Sequence, residues 1–336
     1  MSKPLTYGGA GVDRSAEEEA IASLVASAFI REGRYRPIDL GTHYAGLIEF
    51  GENALALCTD GVGSKLLLAQ QHDRIHSVGI DCVAMNVNDI ICVGAEPVAF
   101  VDYLALHHPD SELTAALGRS LRDGLEQANC SLIGGETATL PDIIHSFDLA
   151  GTCLGWVQKD RIIRGDRIAP GDILIGLPSS GPHSNGFTLI RRILEQSKPE
   201  LGAQLLDQLL APTVIYVKPI LELLKKVDVH GLFHITGGGL NNLFRLQKGV
   251  TYYIDTPLPI PEIFTKLEQW GPVERQEMAE TFNMGCGFVL AVGFEDSTPT
   301  LQLLRHLGAR QIGRVLRSSG VDQVEVPDWG VKVSRV

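Results

Sequence analysis

The chain has 336 residues, with 29 Lys and Arg against 40 Asp and Glu (net charge −11), 44% hydrophobic and 21% charged residues. This is the composition of a globular protein of about two domains, and it excludes global disorder. Acidity without a Lys/Arg cluster argues against a nucleic-acid partner, and no apolar run approaches the roughly 18 residues that cross a membrane.

The first residues carry no apolar h-region, so no secretory signal is expected, and they read as mobile up to Asp13. Ser15-Ala16-Glu17-Glu18 reads as a capping box. The helix after it puts Ile21, Leu24, Val25, Ala28 and Phe29 on one stripe. Residues 55–59 predict a short strand that ends in Asp60-Gly61-Val62-Gly63-Ser64-Lys65. A strand is expected at 77–81, a helix at 83–93, a strand at 98–103 and a strong helix at 111–129, with Leu113, Leu117, Leu121 and Leu125 four apart. Strands follow at 131–133, running into Gly134-Gly135-Glu136-Thr137, and at 148–156.

The polar stretch 161–171, punctuated by Pro170-Gly171, places a domain boundary at 165/166. Beyond it a strand at 172–177 leads through a Gly/Ser loop to a helix at 187–195. A helix is expected at 214–227, although Pro219 opposes it. The strand at 233–236 enters Gly237-Gly238-Gly239. Strands at 251–255, 287–293, 311–316 and 323–326 alternate with helices at 261–269 and 298–307. Both halves therefore read as α/β or α+β units. The cysteines at 58, 82, 92, 130, 153 and 286 form no CxxC pair, which predicts reduced thiols in a cytoplasmic protein.

Glycine, at 36 residues, is enriched to about 11% against a usual ~7%, and it clusters beside acids, Ser, His and Asn. Asp60, Asp81, Asp89 and Glu136 each lie beside a turn glycine or at the end of an apolar run, and Asn86, Asn88 and Asp89 form a polar knot. Carboxylates converging on a phosphate-bearing nucleotide would suit Mg²⁺, a hard cation; helix caps and turn residues are the plainer account of each acid alone. The 60–65 loop lets backbone approach phosphate, with Lys65 as a point charge, but it is not a Walker A motif. Ser179–Gly186 combines hydroxyls, His183 and Asn185 ahead of a helix, an arrangement suited to an anion. His234-Ile235-Thr236 before the triglycine suggests a second anion nest, with a satisfied core histidine as the alternative. From residue types alone this describes a two-domain enzyme using Mg-nucleotide and a phosphorylated small molecule, and no particular reaction.

The segments 6–13 (TYGGAGVD), 59–66 (TDGVGSKL), 79–105, 130–142 (CSLIGGETATLPD), 179–191 (SSGPHSNGFTLIR), 209–221, 234–239 (HITGGG) and 281–287 (TFNMGCG) occur in this order. The series closely resembles the phosphoribosylformylglycinamidine cyclo-ligases, or aminoimidazole ribonucleotide synthetases. The resemblance implies a two-domain ATP-dependent synthetase fold. Its N-terminal domain would close a barrel across a homodimer, and its C-terminal domain would be an α/β layer. It implies ATP and Mg²⁺ as cofactors, formylglycinamidine ribonucleotide as substrate, and ring closure through an imidoyl phosphate. Carried onto this chain, Asp60, Asp89 and Glu136 would hold the metal. Gly61, Lys65, Asp81, Asn88 and Thr137 would join them around ATP. Ser180, His183, Asn185, Thr236, Gly237, Gly238, Gly239 and Asn283 would bind substrate, and His183, His234 and Asp89 would be catalytic.

Members often carry a lysine ahead of the TDG motif. Here no lysine lies between Lys3 and Lys65, which leaves an arginine among 31–36, or His43, to replace it. Thr139-Leu140-Pro141 stands where Glu-Met-Pro is common. The rival readings are another enzyme of the same scaffold, such as a thiamine-monophosphate kinase, and a non-catalytic nucleotide-binding regulator.

Overall fold

The computed structural model describes residues 5–12 and 14–335. Asp13 and the side chains of the expected capping box at Ser15 and Glu18 lie outside the described residues.

Helices α1 (Arg14–Ala26) and α2 (Lys65–Gln71) flank the opening strands of the first sheet. That sheet comprises β1 (Pro37–Ile38), β2 (Gly46–Phe50), β3 (Asn53–Gly61), β4 (Glu96–Leu106), β5 (Ser131–Thr139) and β6 (Phe147–Gln158), in the order β1-β2-β3-β6-β4-β5. Only β4 and β5 pair in parallel, joined by the crossover helix α4 (Ser111–Ala128). Asp110 caps α4 by accepting from the N–H groups of Glu112 and Leu113. The stripe Leu117, Leu121 and Leu125 is buried against α3 (Val78–Cys92). The helices cross closely: a Cβ on Gly79 would lie 2.4 Å from the Leu121 nitrogen.

The second sheet has β7 (Ile173–Pro178), β8 (Val229–His234), β9 (Val250–Tyr253), β10 (Cys286–Val292), β11 (Arg310–Arg317), β12 (Gln323–Val326) and β13 (Val331–Ser334), in the order β13-β12-β9-β11-β7-β10-β8. The remaining helices are α5 (Phe187–Ser197), α6 (Ala203–Leu209), α7 (Val217–Leu224), α8 (Glu262–Trp270), α9 (Arg275–Thr281) and α10 (Phe294–Leu303). The chain therefore has two α/β units, each built on a mixed sheet.

Helix α3 is apolar around most of its circumference, as a helix enclosed on all sides must be. It packs on β3, β6 and α4, and also on β8 and α7 of the second unit. This explains one correction: residues 77–81, expected as a strand, form the end of a 3-10 turn and the first turn of α3. A short apolar run does not reveal its period, and enclosure decided for the helix. A second correction concerns α1. Ile21, Leu24 and Val25 are exposed, and the predicted stripe's Ala28 and Phe29 lie beyond the helix end. Residues 5–12, expected to be mobile, dock on the second unit: Ala10 is buried and the Tyr7 N–H donates to Glu277 Oε1 at 2.6 Å.

Candidate active site

Alternation along β3 buries Ala54 and Ala56, so Cys58 and Asp60 share their face, the one turned toward α3. Asp89, one turn before the end of α3, meets them there: its Oδ2 lies 3.8 Å from Cys58 Sγ. Asn86 Nδ2 ties α3 to the strand by donating to the Asp60 carbonyl at 3.1 Å. Asp60 has no cationic partner among the described residues. Burial, and then the charge of Asp89, raises its carboxyl to about 6, although Gly61 N–H donates to its Oδ1 at 2.8 Å. Two carboxylates brought together in this way fit a hard cation, since Mg²⁺ takes one or two carboxylates and completes its shell with phosphate and water.

The second unit delivers His234 to this centre from the end of β8. Its Nδ1 lies 2.7 Å from Asp89 Oδ1. With that nitrogen donating to the carboxylate, Nε2 is an acceptor, and Asn88 Nδ2 approaches it at 3.4 Å. Asn88 is otherwise committed to backbone: it donates to the Val214 carbonyl at 2.8 Å and accepts from Tyr216 N–H at 3.0 Å. Its amide orients the histidine and fastens 214–216 to α3.

Lys65 and Asp81 require a correction. Both side chains are fully buried and their charged atoms lie 2.8 Å apart. Lys65 Nζ also donates to the Ala211 carbonyl, and Asp81 Oδ1 accepts from Thr213 N–H and Oγ1 at 2.8 and 2.7 Å. An ammonium with no access to solvent, held by a carboxylate and a carbonyl, is not presented to a phosphate. The pair clasps the two units together, with Thr213, from the 209–221 segment, as its third partner.

The glycine-rich loops of the second unit converge beside the carboxylate centre. Ser180 Oγ donates to the Pro212 carbonyl at 2.6 Å, and its N–H reaches His183 Nε2 at 3.3 Å. His183 is wholly buried with φ 60, and burial drives its pKa well below the ordinary value. It is therefore neutral, with a protonated Nδ1 that has no partner among the described residues. Asn283 braces this loop: Oδ1 accepts from Ser179 Oγ, and Nδ2 donates to the Gly181 carbonyl, both at 2.9 Å. Asn242, to which the sequence assigned no role, knots the triglycine turn by donating to the Gly239 carbonyl at 2.9 Å and pairing with Thr236 Oγ1. Gly239 has φ +49, and a Cβ there would lie 2.1 Å from the Ala279 carbonyl oxygen, so only glycine fits. Gly237 leaves room for Asn185, whose Oδ1 would be 3.1 Å from a Cβ at that position. Gly238, with φ 104, opens the next turn. Ser64 Oγ, 3.1 Å from Thr188 Oγ1, brings the 60–65 loop to the start of α5.

Glu136 and Thr137 lie elsewhere within one chain. The row Asp60–Gly151–Asp102–Gly135 crosses β3, β6, β4 and β5 in register, so Gly135 lies three strands, or about 14 Å, from Asp60. Glu136 pairs with Tyr103, whose side chain is exposed on the opposite face to Asp60. Among the described residues, no three His, Cys, Asp or Glu side chains are grouped to hold a metal, so Asp60, Asp89 and Glu136 do not meet in this chain. The expected lysine substitutes are uncharged or displaced. His43 is half-buried, and desolvation holds it down to about 4, hence uncharged. Arg31 and Arg34 stack around Tyr35, and Tyr35 packs on Phe50. Phe50 pairs with Asn53, at the opposite end of β3 from Asp60, roughly 20 Å away. Arg36 pairs with Glu49 on the same hairpin.

The fold and this interdomain centre define a class. Residues 42–157 match the AIR synthase related protein N-terminal domain, and residues 169–324 match the corresponding C-terminal domain. Solved structures agree on the fold: hydrogenase maturation protein HypE in complex with ATP (TM-score 0.64, 20% identity, 83% of this chain and 84% of that one) and thiamine monophosphate kinase from Aquifex aeolicus (TM-score 0.65, 17% identity, 96% and 99%). Sequence similarity is more specific. Phosphoribosylformylglycinamidine cyclo-ligase of Methanosarcina barkeri is 47% identical over 94% of this chain and 96% of its own length, and that of Methanocaldococcus jannaschii is 46% identical over 96% and 94%. The chain belongs to the phosphoribosylformylglycinamidine cyclo-ligase family, ATP-using ligases of purine biosynthesis.

Proposed function

We propose that this chain closes the imidazole ring of formylglycinamidine ribonucleotide, using ATP and releasing ADP and phosphate. The observation that carries the reading is the meeting of Asp60 and Asp89 from one unit with His234 from the other, beside two glycine-rich loops. The formamide carbonyl is a weak electrophile with a poor leaving group. Transfer of the γ-phosphoryl group to its oxygen gives an imidoyl phosphate. The amidine nitrogen then attacks that carbon, the carbon–oxygen bond breaks, phosphate departs and nitrogen loses its proton. The protein's work is positioning and neutralisation of charge.

Asp60 and Asp89 would hold Mg²⁺, which supplies neutralisation of phosphate charge when bound. Asp89 also fixes the His234 ring, so that histidine is suited to hold or pass a proton at the reacting amidine. Buried neutral His183 is suited to donate from Nδ1 rather than to act as a base. Ser180, Asn185, Thr236, Gly237–Gly239 and Asn283 shape the pocket for the ribonucleotide. The same reading divides the chain at 165/166, nucleotide on the first side and substrate phosphate on the second.

A homodimer supplies what a single chain lacks. The outer face of the first sheet exposes Leu57, Val101, Tyr103 and Trp156, and a second copy laid on it would form the barrel and cover apolar surface. Glu136 shares that outer face, so Glu136 of the partner subunit is the form in which this acid would serve the nucleotide. No helix among the described residues is long and apolar enough to cross a membrane; the enzyme is read as cytoplasmic. The test is direct: purified protein with formylglycinamidine ribonucleotide, Mg²⁺ and ATP should yield aminoimidazole ribonucleotide and ADP in equal amounts. ATP hydrolysis without the ring-closed product would refute the reading.

A further inference from the structure

A triphosphate beside two carboxylates needs cationic partners, and the cations expected from sequence are engaged elsewhere: Lys65 is enclosed by Asp81, His43 is neutral, and Arg31, Arg34 and Arg36 lie at the far end of β3. Arg245 is placed differently. It ends the 3-10 segment Gly239–Arg245 that leaves the triglycine turn, and it is exposed. Its Cζ lies 4.8 Å from the Tyr44 ring centroid, its Nε donates to Asn242 Oδ1 at 3.3 Å and its Nη1 to the Thr42 carbonyl at 3.4 Å. Tyr44 Oη in turn donates to the Asn242 carbonyl at 3.2 Å. The guanidinium is thus aimed from one edge and by one face. Among the described residues no carboxylate pairs with it and Nη2 has no acceptor. The same Asn242 Oδ1 accepts from Thr236 Oγ1 at 3.3 Å, two residues beyond His234, so the guanidinium is tethered to the loop that brings His234 to Asp89.

Resting on the ATP-using reading above, we propose that Arg245, contributed by the second unit, binds the phosphate chain of the nucleotide and takes the place left by the missing lysine. A planar guanidinium held at Nε and Nη1, with Nη2 free, presents oriented charge-assisted donors to phosphoryl oxygens. The anchors Thr42 and Tyr44 lie on the first unit, so engaging phosphate through Arg245 would also draw the two units together over the nucleotide.

The test titrates the full-length protein with Mg²⁺ and AMP, ADP or a non-hydrolysable ATP analogue by calorimetry, comparing wild type, Arg245→Gln and Arg245→Lys. Charge-assisted hydrogen bonds of this type are worth roughly ten-fold or more in affinity. Arg245→Gln should therefore lose about ten-fold or more on the triphosphate, less on ADP, and remain within about two-fold on AMP; Arg245→Lys should recover part of the loss. An equal loss on all three nucleotides would reduce Arg245 to an interdomain latch and overturn the proposal, as would no loss at all. A loss confined to the ribonucleotide substrate, titrated alone, would move the contact to that molecule's phosphate and also overturn it. A wild-type protein that binds none of the nucleotides would overturn both this assignment and the ATP-using reading.

Discussion

In the proposed site, Asp60 would serve two states that pull in opposite directions. Empty, it sits half-buried beside Asp89 and holds its proton up to about pH 6, above the ordinary 3.8; loaded, it must be ionised to face a cation. A group whose folded pKa is raised contributes stability that is full below its unfolded value and lost as pH rises through the folded value. The empty protein should therefore lose stability from this group between about pH 4 and pH 7, and Mg-nucleotide should bind more tightly above pH 6, while binding below that pH should release a proton. Asp60→Asn should flatten that loss and stabilise the empty protein at pH 8 by on the order of 1–2 kcal/mol, while weakening Mg-nucleotide binding at least ten-fold. Denaturant midpoints measured across pH for both proteins test this. A variant less stable than wild type at pH 8 would mean that Asp60 is not strained in the way its surroundings imply.

Among the elements, α3 connects sheet, clasp and carboxylate centre. Asp81 leaves its first turn and Asn86, Asn88 and Asp89 leave a single later turn, and each binds a different partner: Lys65, the Asp60 carbonyl, the 214–216 backbone and His234. The Lys65–Asp81 pair has no access to solvent. Removing one partner strands a buried charge, so Lys65→Met should destabilise the protein by about 3–5 kcal/mol, while Lys65→Met with Asp81→Leu should recover much of that loss. Urea unfolding of both variants is the measurement. If the single variant retains wild-type stability but binds nucleotide poorly, Lys65 is a ligand contact rather than a clasp. The helix also explains why the acids of the first unit separate into two groups: Asp89 lies on the inner side of the sheet, while Glu136 is carried by the edge strand β5 and paired with an outward-facing tyrosine.

For the whole molecule, that separation becomes a statement about assembly. If the partner's Glu136 completes each nucleotide site, Asp60→Asn and Glu136→Gln chains should each be nearly inactive. After subunit exchange between them, half the dimers are mixed and each mixed dimer holds one intact site. Activity should then return to roughly a quarter of wild type. Exchange followed by no recovery, with sedimentation showing mixed dimers, would place Glu136 in a structural role. The exposed apolar residues Leu57, Val101, Tyr103 and Trp156 lie on the face this arrangement covers.

Local patterning was enough for most of the elements. The four-residue leucine spacing of α4, the strand at Gln323–Val326 and the glycine-rich turns at 181, 186 and 237–239 follow from periodicity and from positions where a side chain has no room. The order of the motifs carried the family, because recognition by residue identity needs no geometry. What a sequence does not contain is which face of a sheet a residue takes once its neighbours are fixed, or which charge another segment will enclose. Lys65, Asp81 and Glu136 read as one cluster with Asp60 and Asp89. Strand parity and the enclosure of α3 separated them, and the same packing brought Arg245 to Tyr44 from the far side of the chain. Hydrogen-bonding capacity belongs to each residue type; whether it is already spent depends on contacts made across hundreds of residues, and those exist only in the folded chain.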